Sequence, residues 1–114
     1  MSKGFTLVVF PVKDLSAAKA LYSQLLGVEP YVDAPYYAGF RVDGQEIGLD
    51  PNGHAAGQTG PLAYVETDDI ERRIDALVKA GAKLDQGIRS VGPNRRIARL
   101  KDADGNAIAL MQTT

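Results

Sequence analysis

The chain has 114 residues, of which 45% are hydrophobic and 24% charged, a composition that fits one globular domain with a modest core. Its 13 basic and 14 acidic residues leave no net field that would favour nucleic acid or an anionic membrane surface as a partner. The sequence contains no cysteine, no apolar run of about 18 residues and no signal-peptide core, so we expect a cytoplasmic protein without disulfides, thiolate metal sites or membrane spans.

The first half of the chain predicts a strand, a helix and three further strands. The predicted elements are a strand at 5–10 bounded by Pro11, a helix capped by Asp14 and ended by Gly27, and strands at 28–32, 36–42 and 46–50. The last two strands are joined by Asp43-Gly44, a strong hairpin signal. Helical spacing places six apolar residues on one face, which we expect to be buried: Leu15, Ala18, Leu21, Tyr22, Leu25 and Leu26.

The second half repeats this order after a glycine-rich linker at 52–61, which carries the only histidine, His54. A strand at 62–66 precedes a helix capped by Asp68 or Asp69 and ended by Gly81, and strands follow at 83–91, 95–101 and 107–111. The repeat has a period of about 55 to 60 residues. It predicts a single α+β domain of two βαβββ modules, 5–51 and 62–112, whose mixed sheet forms a cup with the helices outside.

Four segments carry a resemblance to the vicinal oxygen chelate superfamily, which includes glyoxalase I, extradiol dioxygenases and bleomycin-resistance proteins. They are VFPVKDL at 9–15, ALYSQLLG at 20–27, VETDDIE at 65–71 and the turn DADGN at 102–106, with Ala103 where the family has proline. Together they span nearly the whole chain in the family's order and spacing. The resemblance implies the same cup-shaped fold and a homodimer, since the family's modules often associate with those of a second chain.

The metal-dependent members of this family hold an ion through side chains on the first and last strands of each module. Counting from the motifs, the four positions are Leu7, Gly48, Leu62 and Ala109 in this chain. None of these side chains offers a nitrogen or oxygen donor, so we expect neither a metal site nor any other cofactor. His54 lies outside the strands and is expected to be a solvated loop residue; a residue of a lid over the cup is the alternative.

Strand alternation predicts which residues line the cup and so bind a ligand. The predicted ligand-binding residues are Leu7, Tyr37, Arg41, Glu46, Gly48, Leu62, Tyr64, Glu66, Ala109 and Met111. This mixture of an apolar floor with a few tyrosines and charges is typical of small-molecule pockets. Pairing of the acidic groups with Arg41, or exposure at a wet rim, is the structural alternative.

We therefore expect a protein that binds a small, partly apolar molecule, such as an antibiotic or metabolite, without a metal. The alternative from another class is a metal-independent isomerase or lyase in which Glu66 or Tyr64 acts as the acid or base. A third possibility is a scaffold whose cup is closed by Leu7, Leu62 and Met111. The sequence does not name the ligand, because one fold hosts many functions.

Overall fold

The computed structural model describes residues 4–114. Its backbone contacts divide these residues into two compact units, one comprising residues 6–62 and the other comprising residues 63–114 with residues 4–5. Each unit contains one helix and four strands in the order strand, helix, strand, strand, strand. The predicted α+β fold of two βαβββ modules is confirmed. Among residues 4–114, no helix is long and apolar enough to cross a membrane.

The first module contains β1 (Phe5–Pro11), α1 (Leu15–Leu26), β2 (Val32–Ala34), β3 (Tyr37–Val42) and β4 (Gln45–Asp50). Its strands lie in the order β2-β3-β4-β1. Strand β3 is antiparallel to both of its neighbours, while β1 runs parallel to β4. The hairpin between β3 and β4 turns at Asp43 and Gly44, whose φ angles of 48° and 83° are those of the type I′ turn that this dipeptide favours.

Both ends of α1 are fixed by the residues that the sequence predicts. Asp14 accepts a hydrogen bond from the backbone N–H of Ala17 at 3.1 Å, which satisfies one of the free donors of the first turn. Gly27 adopts a left-handed φ of 74°, and its N–H donates to the carbonyl of Ser23 at 2.9 Å.

The second module contains β5 (Leu62–Glu66), α2 (Ile70–Lys79), β6 (Lys83–Val91), β7 (Arg95–Lys101) and β8 (Ala107–Thr113). The strand order β5-β8-β7-β6 and the pairing directions reproduce those of the first module. Of the two aspartates considered as caps, Asp69 caps α2 and accepts from the N–H of Arg72 at 3.1 Å. The helix ends at Lys79, and Gly81 follows its cap residue Ala80 with a φ of 114°.

Each module has its own core between its helix and one face of its sheet. In the first module the buried residues are Ala38, Phe40, Ile47 and Leu49, and α1 packs on them through Leu15, Ala18, Tyr22 and Leu26. In the second they are Ile70, Ala98, Leu100 and Leu110, and α2 contributes Ile74 and Leu77 as well. Within each strand these core residues are two positions apart, as expected for side chains that share one face of a sheet.

Two predictions from the first half were wrong. The second strand spans Val32–Ala34 rather than 28–32, because Pro30 has no N–H for a strand ladder and the pairing with β3 begins only after it. The apolar face of α1 is also narrower than predicted. Leu21 and Leu25 are 64% and 72% exposed, since they lie beside the helix face that packs on the sheet and not within it.

Candidate functional site

The predicted ligand-binding residues lie on the sheet face opposite the helix in their own module. In the first module, Leu7 pairs with Glu46, Val9 with Gly48, and Arg41 with Glu46, all one position away from residues of the helix-facing core. In the second module, Tyr64 pairs with Ala109 and Glu66 with Met111, again alternating with core residues. Alternation therefore assigned these residues to the correct face.

The strand register makes the two modules equivalent at the positions that the family uses for metal ligands. Val9 pairs with Gly48 in parallel strands, and Tyr64 pairs with Ala109 in the same way. Leu7 and Leu62, each two residues before the paired residue, therefore occupy matching places on β1 and β5. This agreement supports the alignment by which the four positions were located.

The residues at these four positions do not fit a metal ion. Leu7, Leu62 and Ala109 are buried hydrocarbon side chains, and Gly48 has no side chain. Metal ions in proteins need nitrogen, oxygen or sulfur donors. Within residues 4–114, no group of three or more histidine, aspartate or glutamate residues is arranged to hold an ion.

The space beside Gly48 is filled by the ring of Tyr37. A Cβ atom added to Gly48 would lie 2.6 Å from Cζ and 2.9 Å from Cε1 of Tyr37, and closer still to its hydroxyl. The same ring lies 3.2 Å from the place of a Cβ at Gly39, the cross-strand partner of Gly48. The two glycines thus form a shallow seat for one phenol on the face opposite α1.

Next to this seat, three residues form a connected group that we call the Tyr31 cluster: Tyr31, Arg41 and Glu46. The Tyr31 hydroxyl donates a hydrogen bond to Oε1 of Glu46. The guanidinium carbon of Arg41 lies 4.3 Å from the centre of the Tyr31 ring, a stacked cation–π arrangement. An Arg41 nitrogen lies 3.6 Å from the same Glu46 oxygen, which makes a loose ion pair.

The environment of Tyr31 favours its neutral form. Partial burial raises the pKa of the Tyr31 phenol, and the hydrogen bond to Glu46 and the negative charge of Glu46 raise it further. The Arg41 charge opposes these effects without cancelling them. Tyr31 therefore remains a hydrogen-bond donor to Glu46, which holds the carboxylate in place beside Arg41.

Tyr31 was absent from the predicted ligand-binding residues, because its position next to Pro30 indicated a loop residue or a dimer contact instead. Its N–H donates to the carbonyl of Gly39 at 2.8 Å, which brings its ring over the glycine of the neighbouring strand. The signal available in the sequence was the pair of glycines, Gly39 and Gly48, since glycine within a strand often marks a close approach by another group.

In the second module, Glu66 lies in an open cleft of about 350 Å³ at the start of α2. The cleft is lined by Glu66, Thr67, Asp68, Asp69, Arg72, Arg73 and Ala76. The Thr113 hydroxyl donates to Oε1 of Glu66 at 3.2 Å. Tyr64, the other candidate acid or base, is half-buried two residues earlier on β5, on the same sheet face as Glu66. The two candidates thus share a sheet face, and Glu66 also borders a polar cleft.

Two arginines of β7 point to opposite sides of the second sheet. Arg96 binds Glu71 of α2 through two hydrogen bonds of 2.7 and 3.1 Å, whereas Arg99 pairs with Asp85 of β6 at 2.8 Å. They therefore cannot serve one anion site together. His54 is exposed in the turn segment that follows β4, and its carbonyl accepts from the N–H of Gly57.

The sequence as a whole identifies the class of protein to which this fold belongs. Residues 4–110 match the profile of the Glyoxalase/Bleomycin resistance protein/Dioxygenase superfamily. The chain belongs to this family. A comparison with curated proteins found no match.

Solved structures show the same fold at low sequence identity. An NAD-dependent benzaldehyde dehydrogenase from Legionella pneumophila has a TM-score of 0.78 at 17% identity, over 95% of this chain and 98% of that chain. A methylmalonyl-CoA epimerase variant from Streptomyces coelicolor, in complex with 2-nitronate-propionyl-CoA, has 0.77 at 14% identity, over 100% and 96%. A Mn(II)-bound glyoxalase from Novosphingobium aromaticivorans has 0.71 at 17% identity, over 98% of this chain and 40% of that chain. At these identities the likeness establishes the fold alone.

Proposed function

We propose that this protein binds a small, partly apolar molecule without a resident metal ion, on the sheet face that carries the Tyr31 cluster. The observation that supports the proposal most directly is the arrangement of Tyr31, Arg41 and Glu46 beside the ring of Tyr37. These contacts hold aromatic and charged groups in a fixed geometry, which lowers the entropy lost when a ligand binds.

The chemistry of the four family positions supports metal independence. Leucine, glycine and alanine cannot coordinate a cation through their side chains, and Tyr37 lies where a longer residue at position 48 would have to extend. The structures similar to this chain include a Mn(II)-bound glyoxalase, so the fold itself is compatible with a metal. The difference lies in the donor atoms of this particular chain.

Native mass spectrometry of the protein as purified tests the proposal. We expect less than about one metal ion per ten chains, and a small organic adduct that is released on unfolding. The same spectra report the homodimer that we propose from the family resemblance. One tightly held Ni, Zn, Fe or Mn per chain would overturn metal independence. A protein that carries no adduct and binds no member of a small-molecule library would overturn the proposed binding function.

A second candidate function is a metal-independent isomerase or lyase reaction in which Glu66 or Tyr64 acts as the acid or base. The specific observation in its favour is that Glu66 borders the cleft at the start of α2, where Thr113 orients its carboxylate. A general base must reach a substrate proton, and an open cleft of this kind admits a substrate.

The change Glu66→Gln separates the two functions once a ligand is known. If the protein only binds its ligand at the Tyr31 cluster, the change should leave the affinity within about tenfold of the parent's. If Glu66 is the base, turnover should fall about 100-fold or more while binding persists. Thr113→Val is the matched control, since it removes the hydroxyl that orients Glu66 and leaves the carboxylate itself.

A further inference from the structure

We infer that the ligand carries an anionic group, with a carboxylate as its simplest form, and that Arg41 binds this group next to the Tyr31 ring. This inference rests on the proposed function and names the class of molecule that the site would take. It is carried by the contrast between an exposed guanidinium and a shielded carboxylate within the Tyr31 cluster.

Arg41 lies beside Tyr31 and Glu46, yet its side chain remains largely exposed. The guanidinium carbon lies 4.3 Å from the centre of the Tyr31 ring, which keeps the group beside this ring. Its ion pair with Glu46 spans 3.6 Å, too long for a hydrogen bond, and its side chain remains 58% exposed. A guanidinium carries five N–H donors in a planar fork that matches a carboxylate.

Glu46 is the complementary case, because one of its carboxylate oxygens already has two partners. One oxygen accepts from the Tyr31 hydroxyl and lies near Arg41, and the side chain is only 19% exposed. A cationic ligand would have to compete with both groups for that oxygen and approach the positive charge of Arg41. The cluster therefore favours an anion over a cation at its outer side.

The body of the ligand has apolar surface available beside the charge. The Tyr31 residue is 49% exposed, and its Cε1 atom lies 3.4 Å from the place of a Cβ at Gly39. An aromatic or short aliphatic body that carries the carboxylate can contact this ring while its oxygens meet the Arg41 fork. The class of ligand is thus a small carboxylate with a flat or apolar body.

Three isosteric probes test the charge preference: benzoate, benzamide and benzamidine, which are anionic, neutral and cationic. Binding is followed by chemical-shift changes in the amide spectrum of the full chain. We expect benzoate to bind about tenfold or more tightly than benzamide, and benzamidine not to shift the Tyr31 and Arg41 resonances. Raising the salt concentration should weaken benzoate and leave benzamide unchanged.

Two substitutions test whether Arg41 causes the preference for benzoate over benzamide. Arg41→Gln should abolish the preference of benzoate over benzamide, and Arg41→Lys should retain part of it, because the charge remains while the fork is lost. Arg89→Gln, which removes an exposed arginine on β6, is the control and should change nothing. An amide spectrum that matches the parent's away from the substituted residue shows that each variant is folded.

The outcomes distinguish this inference from the function on which it rests. Benzamide or benzamidine binding as tightly as benzoate, or benzoate binding Arg41→Gln unchanged, would overturn the anion site while small-molecule binding stands. If no probe binds, the inference is tested on the small molecule that native mass spectrometry detects on the purified protein. An anionic molecule that is missing from the Arg41→Gln variant supports the inference. An uncharged or cationic molecule overturns it. The absence of both probe binding and adduct overturns the proposed function itself.

Discussion

The phenol of Tyr37 lies in the space that a side chain at Gly48 would fill. These residues are on neighbouring strands, and Gly48 is one of the four positions that the family resemblance assigns to metal ligands. A residue with a donor atom at position 48 and a tyrosine in this orientation at position 37 exclude each other. In this chain the Tyr37 ring takes the place that a metal-ligating side chain at position 48 would need.

Gly48→Ala should destabilise the protein by about 1–3 kcal/mol, because the new Cβ overlaps the Tyr37 ring and forces it from its seat. The companion change Tyr37→Ala removes the obstacle. In the double variant, the cost of Gly48→Ala should fall to less than about 0.5 kcal/mol, which denaturant unfolding of the four proteins measures as a coupling energy. Additive effects of the two changes would show that the ring moves aside at no cost.

Much of the fold could be predicted because local rules and tertiary packing agree over most of the chain. The caps Asp14 and Gly27, the Asp43-Gly44 turn and the strands of the second module all follow from residue chemistry. The strand β2 could not be placed, since Val28 is equally suited to a strand and to the partly buried position it takes beside the first core. Hydrophobicity alone does not separate these cases.

The sequence predicts on which sheet face the strand residues of the candidate site lie, but it does not predict which residues contact one another. Alternation assigned Arg41, Glu46 and Tyr37 to one side of the first sheet, since side chains on a strand have a period of two. The position of Tyr31 depends on how an irregular segment crosses Gly39, which no periodicity encodes. The cation–π contact between Arg41 and Tyr31 is a tertiary contact of the same kind.

Thr6→Val should stabilise the protein. Among the residues that the structure describes, the buried Oγ1 of Thr6 has no hydrogen-bond partner. Thr6 lies on β1 two residues before Val8. A methyl group in place of the hydroxyl removes a polar atom that is shielded from solvent without a compensating hydrogen bond. We expect a gain of about 1 kcal/mol in the free energy of unfolding.

The matched control for this change is Thr6→Ser, which keeps the hydroxyl and removes the methyl group. It should destabilise the protein by about 1 kcal/mol through lost apolar burial. Equal stabilities for the valine variant and the parent protein would mean that the hydroxyl finds a partner in solution. Thermal unfolding of the three proteins gives the comparison directly.

Gln58 anchors the segment between the modules to the first strand. Its side-chain amide donates to the carbonyl of Val9 at 2.9 Å and to that of Gly60 at 3.1 Å, and its backbone N–H donates to Gly53 at 2.9 Å. Gln58→Met keeps the shape and removes both side-chain bonds, so we expect a loss of about 1–2 kcal/mol. His54→Ala, an exposed change in the same segment, should stay within about 0.5 kcal/mol of the parent.

Hydrogen exchange locates the effect of the Gln58 change. The amides of the turn around Gly53 and Gly57 should exchange faster in Gln58→Met, because the segment loses its attachment to β1. The His54→Ala protein should keep the parent's exchange rates. Equal protection in Gln58→Met would show that the backbone bonds of this turn suffice to hold it.

Asp102 should make stability depend on pH in the acidic range. The side-chain amide of Asn106 donates to Oδ2 at 2.9 Å, and the N–H groups of Asn106 and Asp104 donate to Oδ1 at 2.8 and 2.9 Å. The bond from the Asn106 side chain is the main cause that lowers the pKa of Asp102 below its usual 3.8, and the backbone donors add to it.

The sign of the effect follows from this lowered pKa. A carboxylate that is more acidic in the folded protein contributes stability above its ordinary pKa, and loses that contribution as the pH falls through the lowered one. We therefore expect the parent protein to be more stable than Asp102→Asn at pH 6, with the difference shrinking below about pH 4. Denaturant unfolding at several pH values measures it, with Asp104→Asn as the control, since that variant keeps the Asp102 carboxylate and should retain the parent's acid dependence. A constant difference between the parent and Asp102→Asn from pH 6 to pH 2.5 would show that the charge of Asp102 contributes nothing and that only the shape of the turn matters.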